Sequence, residues 1–344
     1  MNSSRLPAPT ADDDFRPPWW LRNHHVQSIL SSTSWRRGSV LARAQPLLAA
    51  ARELLLDCGD GVRLQCFVSR PVHSSGLPVV LMHGWEGSAD SLYVLSLAQR
   101  FFAQGFDVVR LNLRDHGDTH QLNPGLFHSC LLPEVVGAVH SLQQHFPHRP
   151  LQLAGFSLGG NFWLRVAAQA RTANLQIARV VAVSPVLDPV ATLRALQKSI
   201  PGYEAYFVRK WMRSLVKKQA AWPEHYDFGD FAQRNLTHMT DELVRRYTDF
   251  ASLEDYLNGY AITGERLADL KVPSHIITSL DDPIIPPNGL EQLARPPALG
   301  LTVTRYGGHC GFFERLTGPT WLERRILGLL GARALTDHTL ASAT

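Results

Sequence analysis

Leu151-Gln152-Leu153-Ala154-Gly155-Phe156-Ser157-Leu158-Gly159-Gly160 changes character in its middle. Residues 151–154 read as a short buried strand and residues 158–173 as a helix. Between them Gly155, Ser157 and Gly159 fit the pattern G-x-S-x-G. The letters alone arise often by chance; the strand before and the helix after give them weight. A serine on so tight a turn takes a strained backbone conformation and projects its hydroxyl from the sheet edge. Glycines two residues to either side keep neighbouring chains from colliding, and the helix behind points its positive end at the site. The alternative, a glycine-rich turn with an incidental serine, leaves both flanking elements unexplained.

Outward from this turn, short apolar runs alternate with amphipathic segments. Residues 53–57, a turn at Gly59-Asp60-Gly61 and residues 62–68 read as a β-hairpin. Residues 78–82 and 106–113 read as buried strands, separated by a helix over 90–104 that Gly105 stops. A helix over 133–146 precedes the central strand, and strands over 178–183, 274–278 and 301–306 with a last helix over 320–330 follow it. The expected fold class is therefore α/β, a mostly parallel eight-stranded sheet with helices on both faces. Right-handed crossovers place the strand C-termini at one edge, where ligands bind. The rhythm stops over residues 188–270, an aromatic and polar stretch that reads as a helical cap insertion. The core is then 51–187 with 271–344. Residues 1–50 read as an irregular arm with a few helical turns packing on the core, the first dozen disordered.

A hydroxyl that attacks a carbonyl creates an oxyanion, which needs fixed donors. One is the N–H after the nucleophile, here Leu158; the second comes from the loop after the third strand, His83-Gly84-Trp85-Glu86-Gly87. Trp85 is the expected donor, because Gly84 lets the turn approach closely. His83 is expected to be a buried brace of that loop. The acid and base follow in chain order. Leu280-Asp281-Asp282-Pro283 and Gly307-Gly308-His309-Cys310-Gly311 each come after a strand, so each can reach across the sheet edge to Ser157. Neutral His309 would take the serine proton, and a carboxylate would hold the imidazole in the right tautomer. Asp282 is favoured as that acid because the Asp282-to-Pro286 spacing suits a loop whose first residue turns inward. Asp281 suits hydrogen bonding to loop amides. Cys310 reads as a packing neighbour.

The 344 residues carry 45% hydrophobic and 19% charged side chains with a net charge of +4, an ordinary globular balance. Lysines and arginines are scattered, which argues against a nucleic-acid footprint. Four distant cysteines without a CxxC pair argue against a disulfide framework or a zinc site. No phosphate-binding glycine motif or HExxH occurs, so neither cofactor nor metal is expected. The first twenty residues lack the apolar region of a signal peptide. The stretch after Arg36-Arg37 is too interrupted for a twin-arginine signal, and no apolar run approaches a membrane span. A cytoplasmic protein without stable membrane insertion is expected. The loop Arg114-Asp115-His116 lies at the active edge and reads as a pinned brace rather than as extra catalytic groups.

Taken together these motifs resemble the YheT-like α/β-hydrolases, a bacterial group assigned as esterases and related to animal lipid-acting hydrolases. The resemblance covers most of the chain. Its more specific parts are the arm Pro17-Pro18-Trp19-Trp20-Leu21-Arg22-Asn23-His24-His25-Val26-Gln27-Ser28-Ile29 and the block Gly155-Phe156-Ser157-Leu158-Gly159-Gly160-Asn161. It continues through His83-Gly84-Trp85-Glu86-Gly87-Ser88, Phe127-His128-Ser129, Asp281-Asp282-Pro283 and Gly307 to Phe312. It implies an α/β-hydrolase fold, a Ser157, Asp282, His309 relay and hydrolysis of small-molecule carboxylic esters. Asp115-His116 stands where the family usually has Gly after Arg, and Cys130 where Gly commonly follows His-Ser; both would reshape the pocket. The animal relatives carry an N-terminal membrane anchor, which residues 1–20 read as lacking, and Trp19 and Trp20 are expected to pack against the domain. The aromatic insertion favours an apolar acyl group. A thioesterase or amidase with the same relay, or a non-catalytic ligand-binding relative, are the competing readings.

Overall fold

The computed structural model describes residues 10, 14–198, 201–229, 231 and 235–331. Eight strands form one sheet: β1 Ala51–Asp57, β2 Arg63–Ser69, β3 Val79–Met82, β4 Val108–Leu111, β5 Leu151–Phe156, β6 Ile177–Val183, β7 Ser274–Ser279 and β8 Leu299–Thr304. Their order is β1-β2-β4-β3-β5-β6-β7-β8. The pairs β1–β2 and β2–β4 are antiparallel, and every other pair is parallel. The chain reverses between β1 and β2 through Gly59, Asp60 and Gly61, all at positive φ, where glycine carries no Cβ clash.

Alternation along the central strands divides two cores. Val80 and Met82 of β3, Leu153 of β5 and Val180 and Ala182 of β6 pack on one face. Val79 and Leu81, Ala154 and Phe156, and Val181 and Val183 pack on the other. Successive strand side chains point to opposite faces, so a strand covered on both sides is a continuous apolar run. Each fully buried Val or Leu contributes about 1.5–3 kcal/mol relative to exposure. The first face is covered by helices α4 Leu132–His145 and α5 Leu158–Ala168. The second is covered by α3 Leu92–Ala103, by α10 Trp321–Gly331 and by α2 Arg37–Ala49 from the arm.

Three sequence expectations need correction. The arm is more regular than a few turns: α1 His24–Ser32 precedes α2, and the Asn23 side chain caps α1 by accepting the N–H groups of His25 and Val26. An Asn directly before an apolar-periodic run is an N-cap signal. Trp19 is largely exposed instead of packed, at 79%, and Trp20 is only partly covered, at 44% exposed. Helix α5 ends at Ala168, five residues early, because the chain turns through Asn174 at φ 52° to bury Leu175 and enter β6. The expected disorder of the first dozen residues falls almost wholly outside the described residues. Thr10 is described, and its N–H donates to the Val303 carbonyl at 3.0 Å.

Among the described residues between β6 and β7 the chain forms four α-helices, α6 Pro189–Lys198, α7 Pro201–Ala221, α8 Leu236–Tyr247 and α9 Leu253–Gly259. Helix α7 grips the parallel core at a buried ion pair. Lys218, its side chain fully buried, donates to Asp115 Oδ1 at 2.8 Å and to the carbonyls of Asn123 and Gly125 at 2.7 Å each. All three ammonium protons are thereby matched, as burial of a charge requires. Among the described residues no helix is long and apolar enough to cross a membrane.

Candidate active site

Ser157 sits between β5 and α5 with φ 53° and ψ −118°, a left-handed conformation that a serine adopts only under constraint. The constraint is close packing of backbone on backbone. A Cβ on Gly155 would lie 2.5 Å from the Gly159 carbonyl, and one on Gly159 would collide with the His83 carbonyl. The Ser157 N–H is taken by the Val183 carbonyl at 2.8 Å, which ties the turn to the next strand. Asn161, fully buried, donates to the carbonyls of Val186 and Tyr260 at 2.8 Å each and so fastens α5 to the chain that follows β6 and to the end of α9, Leu253–Gly259.

The loop after β3 lies directly against this turn. A Cβ on Gly84 would stand 3.1 Å from Ser157 Cβ. The loop is a tight turn closed by Gly87 N–H to the Gly84 carbonyl at 2.9 Å. Among the described residues, the N–H groups of Trp85 and Leu158 have no hydrogen-bond partner. His83 is fully buried, with Nδ1 bonded to the Gly84 carbonyl at 2.7 Å and Nε2 accepting the Leu113 N–H. Burial pushes its pKa down to about 4, so it stays neutral and braces the loop. Helix α7 holds the loop from above. The Trp85 indole stacks on Phe207 and meets Trp211 edge-on, while Lys210 Nζ donates to the Glu86 carbonyl at 3.0 Å. Burial pushes the Glu86 carboxyl up to about 7 against the pull of Lys210.

The two aspartates after β7 face different partners. Asp282, its side chain fully buried, presents Oδ2 to His309 Nδ1 at 2.9 Å. Its Oδ1 accepts the N–H groups of Ile284 and Ile285, each at 2.9 Å. Asp281 turns the other way and accepts the Gly308 N–H at 2.9 Å. Burial alone would lower the His309 pKa, but the Asp282 carboxylate raises it well above 6.5. Ser157, Leu158, Trp85, His309 and Cys310 line one cavity of about 710 Å³. No hydrogen bond joins the Ser157 hydroxyl to the imidazole among the described residues; in unliganded sites such contacts are often long and tighten with substrate. Asp115 and Arg114 are absorbed by the Lys218 pair and by a salt bridge from Arg114 to Glu134 at 2.6 Å.

Residues 78–316 match the family model described as alpha/beta hydrolase fold. The chain belongs to the α/β-hydrolase family. Among its relatives, this α/β hydrolase is 26% identical to YheT of Escherichia coli (strain K12), over 91% of this chain and 92% of that one. It is 21% identical to "Phospholipase ABHD3" of Homo sapiens, over 97% of this chain and 82% of that protein. It is also 21% identical to "Monoacylglycerol lipase" of Saccharomyces cerevisiae, over 71% of this chain and 56% of that one. Of solved structures, the Pyrococcus furiosus esterase Pf2001 superposes with a TM-score of 0.52 at 14% identity, covering 82% of this chain and 92% of that one. At that identity the likeness concerns the fold.

The hydrolase has two residues at this site to which the sequence reading assigned no role, Gln27 and Ser28 of α1. The Ser28 hydroxyl accepts the His309 N–H at 2.8 Å. Gln27 brackets Phe313, donating to its carbonyl at 2.9 Å and accepting its N–H at 2.7 Å. Both lie inside the arm motif that carries the family resemblance, which is the signal that could have found them.

Proposed function

We propose that this chain hydrolyses carboxylic esters through an acyl-enzyme on Ser157, with His309 as base and Asp282 as the orienting acid. The observation that carries the reading is the 2.9 Å contact of Asp282 Oδ2 with His309 Nδ1, in a cavity that the left-handed Ser157 also lines. Nδ1 then keeps its proton toward the carboxylate, leaving Nε2 free to accept one. Ser157 Oγ attacks the ester carbonyl carbon as its proton passes to Nε2. The resulting oxyanion takes hydrogen bonds from the unpartnered N–H groups of Trp85 and Leu158. Collapse breaks the carbon–oxygen bond to the alcohol, which leaves with the proton from Nε2. Water attacks the acyl-enzyme by the same route in reverse roles, releasing the acid and restoring the hydroxyl.

Residues 188–270 act as the cap over a core formed by 51–187 and 271–344, with 1–50 as the arm. The acyl group lies among apolar side chains of the cap and core that line the cavity, including Leu193, Leu196, Phe207, Trp211, Leu243 and Ile285. Relatives named as a phospholipase and a monoacylglycerol lipase support an ester with an acyl chain. The test is covalent labelling by a fluorophosphonate probe, which Ser157→Ala abolishes, paired with a panel of p-nitrophenyl esters. A Ser157→Ala protein that still labels and turns over would end the reading.

A further inference from the structure

Among the described residues, the loop that carries His309 is closed on itself only by the N–H groups of Gly311 and Phe312, which both donate to the Gly307 carbonyl at 3.2 Å. Gly307, Gly308, Cys310 and Phe312 all have positive φ, two of them with side chains, and no regular ladder supports the segment. Four side chains pin it instead. Two come from the end of β7, where Asp281 accepts the Gly308 N–H and the Ser279 hydroxyl donates to the Gly308 carbonyl, each at 2.9 Å. The other two come from α1, some 280 positions away in the chain.

We infer that Gln27 and Ser28 are positioning residues for the His309 imidazole, so that the N-terminal arm completes the catalytic geometry; the inference rests on the catalytic reading above. Ser28 is wired from both sides. Its hydroxyl donates to the His24 carbonyl at 2.7 Å and is thereby fixed to accept the His309 N–H at 2.8 Å. The bond falls on the backbone of the base itself. Gln27, fully buried, uses its carboxamide as a strand uses its peptide, matching both polar groups of Phe313 and adding the Leu21 carbonyl at 2.7 Å. The fit is close enough to exclude side chains. A Cβ on Gly311 would lie 2.5 Å from the Gln27 carbonyl oxygen, and one on Gly308 would strike the His24 carbonyl. Ser28 also lines the cavity, so the helix that sets the base borders the substrate.

Ser28→Ala removes the acceptor of the His309 N–H and the donation to the His24 carbonyl, and leaves no cavity that could collapse the fold. A misplacement of about 1 Å can cost on the order of 100-fold in rate, so a partial drift of the loop is expected to lower kcat about tenfold or more. The loss is expected to fall on kcat far more than on KM, because the apolar side chains that line the rest of the cavity are untouched. Ser28→Thr, which keeps the hydroxyl, restores most of the rate, and Ser39→Ala, on the outer side of α2, leaves it unchanged. A far-downfield NMR proton of His309 Nδ1 is expected in the wild type from its contact with Asp282, and it should broaden or shift in Ser28→Ala while the melting temperature holds. Wild-type kcat in a folded Ser28→Ala, or a loss confined to KM, overturns the inference. Should Ser28→Ala not fold, Ser28→Cys replaces it as a weaker acceptor, with an intermediate kcat in support and a wild-type kcat against. Ser157→Ala and His309→Ala run alongside: if they retain activity the catalytic reading fails, and if they are dead while Ser28→Ala is normal only the positioning fails.

Discussion

At the scale of single residues, the roles of Asp281 and Asp282 separate by direction. Asp282→Asn keeps the shape but offers an amide to Nδ1, which disfavours the productive tautomer; kcat is expected to fall by about 10⁴, as in triads of this kind. Asp281→Asn retains an acceptor for the Gly308 N–H, and its kcat stays within about tenfold. Steady-state kinetics on one chromogenic ester compares the two. The pH dependence follows from His309. The proposed mechanism needs the neutral imidazole, whose pKa is raised above 6.5, so kcat/KM is expected to rise with pH and reach half its plateau above 6.5. The same shift makes a stability contribution that is full below the unfolded-state pKa and lost as pH rises through the folded one. Glu86 titrates near 7 in the neighbouring loop, and Glu86→Gln tells its limb from that of His309. Trp85→Ala keeps the backbone donor and most of kcat. Trp85→Pro removes it and costs about 2.7–4 kcal/mol of transition-state stabilisation, and an unchanged kcat there rules the donor out.

Among the elements, α7 touches both the loop after β3 and the loop after β4. It presents Phe207 and Trp211 to the Trp85 indole, Lys210 to the Glu86 carbonyl and Lys218 to Asp115. Lys218→Met leaves the Asp115 carboxylate buried without its cation, and removal of one partner from such a pair costs about 3–5 kcal/mol. Asp115 sits at φ 57°, so glycine fits there without strain. The double variant Asp115→Gly, Lys218→Met is therefore expected to regain part of the lost stability in urea melts. A double variant less stable than Lys218→Met alone refutes the pairing as the origin of the effect. Neither Lys218 nor its carbonyl partners stood out in the sequence, where Lys217 and Lys218 were two of the scattered basic residues. Only burial distinguishes them: Lys217 is 55% exposed and Lys218 is fully buried.

For the whole molecule, the cavity is shared between the helices that follow β6 and the sheet edge, so its depth depends on how the two meet. Leu243 of α8 and Ile285 after β7 both line it. Leu243→Trp is expected to move the optimum of a p-nitrophenyl ester series toward shorter acyl chains while sparing activity on acetate. An unmoved chain-length optimum would place the acyl group elsewhere.

What the sequence by itself determined is what local pattern encodes. The elbow around Ser157, the paired glycines and the apolar runs of β3, β5 and β6 were legible because backbone strain and two-sided burial act within a few residues. Element ends were less so: α5 continues its helical composition past Ala168, and only the burial of Leu175 stops it. Loop spacing already favoured Asp282 over Asp281 as the partner of His309, but which lysine is buried and which part of the arm holds the histidine loop were decided by the tertiary structure alone. Those are pairings between groups far apart in the chain, and spacing along a sequence carries no record of which distant polar groups share a desolvated site. Burial makes each such group depend on one partner, and only the packed fold supplies it.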